Sequence, residues 1–154
     1  MKIDGTIISG VLRGSMFVEI VHPRLVGLLG FQPFKGTLNV KLARPVDIRF
    51  YATKTIEHKI MDGTRHIDAY LAPITLSFKE HDVNCWAMHQ AKGVYGNDVI
   101  EVVYQESLRD ALSLKDGDGV AITFSPKPAK KKKLLPGASI LKRLYGKERQ
   151  LMKS

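Results

Sequence analysis

Apolar and polar residues alternate with a period near two through most of the first 124 positions of the chain. That period puts one row of side chains into a core and the other toward solvent, so it predicts strands rather than helices. Ten segments carry it: residues 2–9, 15–21, 36–42, 46–51, 55–61, 65–71, 74–78, 83–88, 99–104 and 120–124. Each is short, rich in β-branched or aromatic residues, and bounded by Gly, Pro, Asp or Asn. Asp62-Gly63 predicts a tight hairpin between two of them, because Gly tolerates the positive φ such a turn demands. Two stretches break the period. Pro23 suits the first turn of a helix over residues 24–29 that Gly30 can stop, and residues 106–112 place Leu108, Ala111 and Leu112 on one helical face. Many short strands and two short helices predict a mainly β fold, a small closed β-barrel rather than a βαβ sheet.

Composition adds a boundary. The chain has 154 residues, 44% of them apolar, enough for one domain with a real core. Collagenous, wholly disordered and disulfide-framework classes are excluded. The net charge of +9 is confined to one end: residues 1–126 hold 14 Lys/Arg and 14 Asp/Glu, whereas residues 127–154 hold 10 Lys/Arg against Glu148 alone. Ser125-Pro126-Lys127-Pro128-Ala129 has the composition of a stiff linker, residues 130–133 form a lysine run, and residues 139–153 fit a basic, partly amphipathic helix. The expected organisation is a β-barrel domain over 1–126 and a basic tail over 127–154. Cys85 is the single cysteine, which rules out an internal disulfide and any multi-cysteine metal site, and fits a reducing compartment. The longest apolar run spans residues 25–31, too short to cross a membrane, and the first five residues lack the apolar stretch of a signal peptide. A cytoplasmic protein without a membrane span is expected.

Few residue patterns here carry chemistry. In a strand, residues two apart share a face, so Thr37 and Asn39 would present a hydroxyl and an amide oxygen together while Leu38 and Val40 enter the core. Two neutral oxygens can hold magnesium when a nucleotide supplies the negative charge; the same pattern also fits an exposed Thr and Asn after a glycine turn. The loop Ser9-Gly10-Val11-Leu12-Arg13-Gly14-Ser15 has glycines that would let backbone N–H groups approach phosphate and an arginine to match it, yet a plain hairpin loop between two strands fits it too. Glu101 alternates naturally to the polar side of its strand. Asp116-Gly117-Asp118-Gly119 lacks the spacing of a calcium loop and fits a β-turn. The five histidines show no HExxH spacing, and no Ser or Cys stands in a nucleophile motif, which leaves metallohydrolase and acyl-transfer chemistry without support. Cys85 fits a packed core thiol, and Trp86, Phe31, Phe34 and Tyr95 are open to a role in the core or in ring stacking.

In their order along the chain, Gly5-x-x-x-Ser9-Gly10, Gly30-Phe31-x-Pro33-Phe34-x-Gly36-Thr37-Leu38-Asn39-Val40-x-Leu42, Val99-Ile100-Glu101-Val102-Val103, Leu108-Arg109 and Leu114-Lys115-Asp116-Gly117-Asp118 resemble the archaeal CTP-dependent riboflavin kinases over roughly residues 3–124. The resemblance implies a cradle-loop-type β-barrel that transfers phosphate from CTP to the 5′-hydroxyl of riboflavin, giving FMN and CDP. It implies Mg2+ held by Thr37 and Asn39. It implies nucleotide contacts from Gly10, Val11, Leu12, Arg13, Gly14 and Ser15 and from Glu106, Ser107, Leu108 and Arg109. Flavin contacts are implied at Glu101, which would orient the acceptor hydroxyl, and in Gly93-Val94-Tyr95, where the family's threonine is replaced by Gly93 or Val94. Leu12 stands where the family carries a further glycine, and Tyr104-Gln105 replace an Ala-Pro pair.

The leading expectation is therefore a phosphotransferase acting on riboflavin with CTP and Mg2+. The alternative is a barrel of the same fold that binds nucleotide or flavin without catalysis and uses its basic tail on nucleic acid or an anionic membrane.

Overall fold

A computed structural model describes residues 1–10 and 13–126. Val11, Leu12 and the expected linker, lysine run and basic helix of 127–154 lie outside the described residues. In chain order the elements are β1 (Lys2–Ile8), α1 (Arg13–Leu29), β2 (Leu38–Leu42), a 3-10 turn at Ile48–Phe50, β3 (Lys54–Lys59), β4 (Arg65–Phe78), β5 (His81–Gln90), β6 (Val99–Val103), α2 (Leu108–Ala111) and β7 (Gly119–Phe124). Every pairing is antiparallel, in the order β3-β4-β5-β6-β2-β1-β7, and β7 pairs again with β4. Six strands thus close a ring, and β3 stands outside it on β4.

The closure depends on the length of β4. Its first half pairs with β3, from Lys54↔Leu71 to Lys59↔Arg65, and its second half with β7, from Ile74↔Phe124 to Ser77↔Ala121. Ala72-Pro73 reads in sequence as a break, yet the strand runs straight through it. The Pro73 carbonyl accepts from the Ser125 N–H at 3.3 Å, which puts the missing proline donor on the side where β3 has ended and β7 is ending. The one bond Pro73 cannot return is to Ser125, just past the end of β7, so the ladder itself is not interrupted.

Alternation inside the ring fills the barrel with Ile3, Ile7, Val40, Leu76, Ile100, Ile122 and Phe124. A second core lies on the outer wall, where Val18, Val21 and Leu25 of α1 cover Ile56, Ala69, Leu71, Met88 and Val103 from four strands. Val18, Val21 and Leu25 are three and four residues apart, the spacing of a helical stripe.

Local expectations are corrected at two places, residues 15–29 and residues 46–51. Residues 15–21 are not a strand but the first half of α1, which begins at Arg13 and has Pro23 in its interior. Burial of the Val18/Val21/Leu25 stripe overrides the β-branched character of the segment, and Pro23 is exposed, so the Glu19 carbonyl it leaves unpaired can meet water. Residues 46–51 form a 3-10 turn rather than a strand, because Asp47 caps it by accepting from the Arg49 N–H at 3.0 Å. The Asp62-Gly63 hairpin is present, with Gly63 at φ 86° and Ile60 donating to the Thr64 carbonyl at 3.0 Å. The Asp116 stretch is the expected turn, closed by Asp118 N–H to Lys115 O at 3.0 Å.

Candidate active site

The outer faces of β2 and β6 carry the only two buried polar side chains among the described residues, Asn39 and Glu101, 8% and 4% exposed. They are direct register partners. Their neighbours Leu38, Val40, Ile100 and Val102 point into the barrel, so alternation forces Asn39 and Glu101 onto the wall that α1 partly covers. What buries Asn39 is the chain just after β1. A Cβ built at Gly10 would lie 1.9 Å from Asn39 Nδ2, so the bare backbone of Gly10 is seated on the Asn39 amide. The other end of that amide, Oδ1, is buried and has no hydrogen-bond partner among the described residues. An orphaned buried oxygen is costly and rare in a settled fold, which marks the position as one built for something else.

Glu101 is held at both carboxylate oxygens. Gln90 Nε2 donates to Oε1 at 2.9 Å and Thr37 Oγ1 donates to Oε2 at 3.3 Å. Burial raises its pKa above the ordinary glutamate value, and the two donors oppose that rise. Thr37 precedes β2 by one residue and lines a cleft of about 200 Å3 that includes Phe34, Glu106, Ser107 and Arg109. Ser107 caps α2 by accepting from the Asp110 N–H at 3.3 Å. Arg109 donates to Asp116 Oδ1 at 2.9 Å and to the Ile8 carbonyl at 3.4 Å, while Ser9 Oγ donates to the other oxygen of Asp116. Both donors hold the Asp116 carboxyl below its usual pKa. This small network ties the exit of β1 to α2 and to the turn before β7.

Gln90 lines a second cleft, of about 330 Å3, between Phe17 of α1 and His58, His66 and Ile67 of the β3–β4 hairpin.

Over residues 7–124 the chain matches the family described as "CTP-dep_RFKase: Domain of unknown function DUF120". The chain belongs to this CTP-dependent riboflavin kinase family. It is 32% identical over 125 residues to the riboflavin kinase of Methanococcus vannielii, covering 79% of this chain and 96% of that protein. It is 30% identical over 129 residues to that of Methanosphaera stadtmanae, with the same two coverages. Against the riboflavin kinase of Pyrococcus abyssi the identity is 33% over 121 residues, 78% of this chain but 57% of the longer relative. The match to the riboflavin kinase family stops where β7 stops, so the basic tail lies beyond the shared part.

Of the residues that the family resemblance singles out, Thr37, Asn39 and Glu101 come together on one wall, and Glu106, Ser107, Leu108 and Arg109 line the first cleft beside Thr37. Gly10 sits on Asn39. Val11 and Leu12 are outside the described residues, and Arg13, Gly14 and Ser15 open α1. The glycine loop therefore joins a strand to a helix rather than to a second strand, a correction that places a helix N-terminus after it. Gly93, Val94 and Tyr95 line neither cleft; Gly93 packs on Gln90, and Val94 is exposed. Trp86 lies over Lys54 at 6.0 Å, outside both clefts, whereas Phe34 edges the first. Cys85 is a core thiol whose pKa burial pushes up to about 12, which removes it as a nucleophile.

Sequence reasoning missed Gln90 and Asp116. Gln90 is two residues past Met88, so continuing the strand period by one step would have put it on the same outer face. Asp116 was legible only as a turn residue; nothing in its neighbourhood signals Arg109 or Ser9.

Proposed function

We propose that this protein transfers the terminal phosphoryl group of CTP to the 5′-hydroxyl of riboflavin, giving FMN and CDP. The observation that carries the reading is the buried Glu101 carboxylate, held at both oxygens beside Asn39 and opening through Thr37 onto a cleft edged by the α2 segment. The riboflavin kinase relatives and the CTP in the family's name support the choice of substrates.

The acceptor hydroxyl donates its hydrogen bond to Glu101. As its oxygen bonds to the γ-phosphorus and the bond to the β,γ-bridging oxygen breaks, the proton passes to Glu101 and from there to water. A pKa raised by burial suits a carboxylate to that proton. Glu106, Ser107, Leu108 and Arg109 hold the nucleotide from one side, and the segment Gly10, Val11, Leu12, Arg13, Gly14 and Ser15 holds its phosphates at the start of α1. The oxygens of Thr37 and Asn39 fit a hard cation: Asn39 Oδ1 is buried and has no hydrogen-bond partner among the described residues, and the Glu101 carboxylate stands beside both side chains. Thr37 and Asn39 would hold Mg2+, which would supply charge neutralisation on the transferred group.

The test is product chromatography with purified protein, riboflavin, Mg2+ and either CTP or ATP. FMN forms with CTP and at least about tenfold more slowly with ATP, since groups that pair a cytosine edge are left unpaired by adenine. No FMN with either nucleotide overturns the kinase reading and leaves a binding module in its place.

A further inference from the structure

The two oxygens of the Asp116 carboxylate are shared between two segments that come from opposite ends of the domain. Arg109, which lines the first cleft beside Thr37, donates from Nη2 to Oδ1 at 2.9 Å, and Ser9 Oγ donates to Oδ2. Arg109 Nη2 also reaches the Ile8 carbonyl at 3.4 Å, so both bonds leave one corner of the guanidinium. A planar fork held at one corner has its other N–H directions restricted as well. Ser9 immediately precedes Gly10, whose bare backbone is seated on Asn39 Nδ2. The carboxylate therefore takes hold of the glycine segment one residue before that segment meets the wall of Asn39 and Glu101. Ser9 and Asp116 are 107 positions apart in the chain, so no local turn brings them together.

The frame that presents Asp116 does not depend on its side chain. Ile7 N–H donates to the Asp118 carbonyl at 2.9 Å, Gly117 N–H donates to the Ile7 carbonyl at 2.8 Å, and Lys115 N–H donates to Asp118 Oδ2 at 2.8 Å. Gly117 turns the corner at φ 93°, where glycine is at ease. The pair itself is open to water, with side chains 52% exposed at Asp116 and 39% at Arg109, and ion pairs so exposed add little to stability. What the carboxylate does supply is a fixed relation between α2 and the exit of β1. In phosphoryl transfer such positioning is a large part of what a protein contributes.

We propose that Asp116 is a positioning residue for the donor nucleotide: one oxygen orients Arg109 at the first cleft, and the other holds the start of the glycine segment against Asn39. The inference rests on the kinase reading for the identity of the donor. It adds a residue that joins the two nucleotide-facing segments and acts through them.

The test uses the full chain and compares wild type, Ser9→Ala, Asp116→Asn and the double variant. Steady-state rates with CTP, riboflavin and Mg2+ give both KM values, calorimetry gives the affinity for CTP without riboflavin, and circular dichroism gives the melting temperature. Asp116→Asn keeps the shape of the side chain without its charge. It melts within about 4 °C of wild type, raises the KM for CTP and weakens CTP binding by about tenfold or more, and leaves the KM for riboflavin unchanged. Ser9→Ala removes one arm and has the same effect to a smaller degree, and the double variant is no worse than Asp116→Asn because Ser9 acts through the same carboxylate. Wild-type KM and affinity for CTP in a folded Asp116→Asn overturn the proposal. So does a loss shared equally by CTP and riboflavin with a lowered melting temperature, which makes Asp116 a residue of the fold alone. Where Asp116→Asn does not fold, Ser9→Ala decides, and a wild-type KM for CTP in that variant overturns the proposal. Wild-type protein that binds CTP but forms no FMN overturns the kinase reading, and the calorimetric comparison then decides Asp116 by itself; wild-type protein that does not bind CTP overturns both.

Discussion

The proposed chemistry turns on Asn39 and Glu101. Each is a polar group buried on an otherwise apolar wall. Asn39→Leu removes the orphaned Oδ1, so thermal stability holds or rises, while turnover falls by at least the roughly 10- to 100-fold seen for changes around metal ligands. A melting temperature that drops together with an unchanged rate would return Asn39 to a structural role. Glu101 has its pKa raised by burial, so the fold favours the protonated acid. Its contribution to stability is complete below the unfolded carboxyl value of about 4.3 and is lost as pH climbs through the raised value. Glu101→Gln therefore melts higher than wild type at pH 8, the difference closing toward pH 4, and phosphoryl transfer falls by about 10²-fold or more. Equal melting curves at every pH would contradict the burial account. These two residues were visible in the sequence as strand positions of the right chemical type. Their burial was not, because it comes from Gly10 and from elements far along the chain.

At the level of elements, the sequence was most legible where period two ran unbroken: β1, β2, β6 and β7 fall within a residue or two of their expected limits. It failed at α1. Residues 15–21 alternate well enough to pass for a strand, and only a wall of Ile56, Ala69, Leu71, Met88 and Val103 selects the helix. That docking has a measurable size. Leu25→Ala costs about 2–5 kcal/mol, the range for emptying a buried leucine site, as read by urea unfolding. Because α1 also begins at the glycine segment proposed to hold the nucleotide, the same variant is expected to weaken CTP binding before it unfolds the barrel. Gly10→Ala probes the contact from the other end: its Cβ meets Asn39 Nδ2, the amide must move, and turnover drops although the substitution is on the surface. A fully active Gly10→Ala would show that the loop and Asn39 are independent.

Taken whole, the molecule is a neutral closed barrel with all of its +9 charge beyond residue 126. The ring is complete at Phe124, whose N–H donates to the Met1 carbonyl at 2.8 Å, so a chain cut after Pro126 keeps the melting temperature and the kinase activity of the full protein. If the full-length protein binds polyanions, that binding goes with the tail. If full-length protein binds duplex nucleic acid, its affinity falls with salt by about 0.9 in log slope per phosphate neutralised, and the shortened chain does not bind. Equal retention of both proteins on heparin would refute that division of labour.

The position of β7 has a consequence for how the chain comes off the ribosome. β7 is the keystone of the ring, paired with β1 on one side and with β4 on the other, and it is made last of the seven strands. Until residues 119–124 emerge, β1 and the second half of β4 each present an open strand edge, separated by most of the domain. The nascent chain can pair β4 with β5 and dock α1, but it cannot close. Slowing synthesis just before residue 119 should therefore prolong an edge-exposed, association-prone intermediate, whereas the same pause after residue 126 should not.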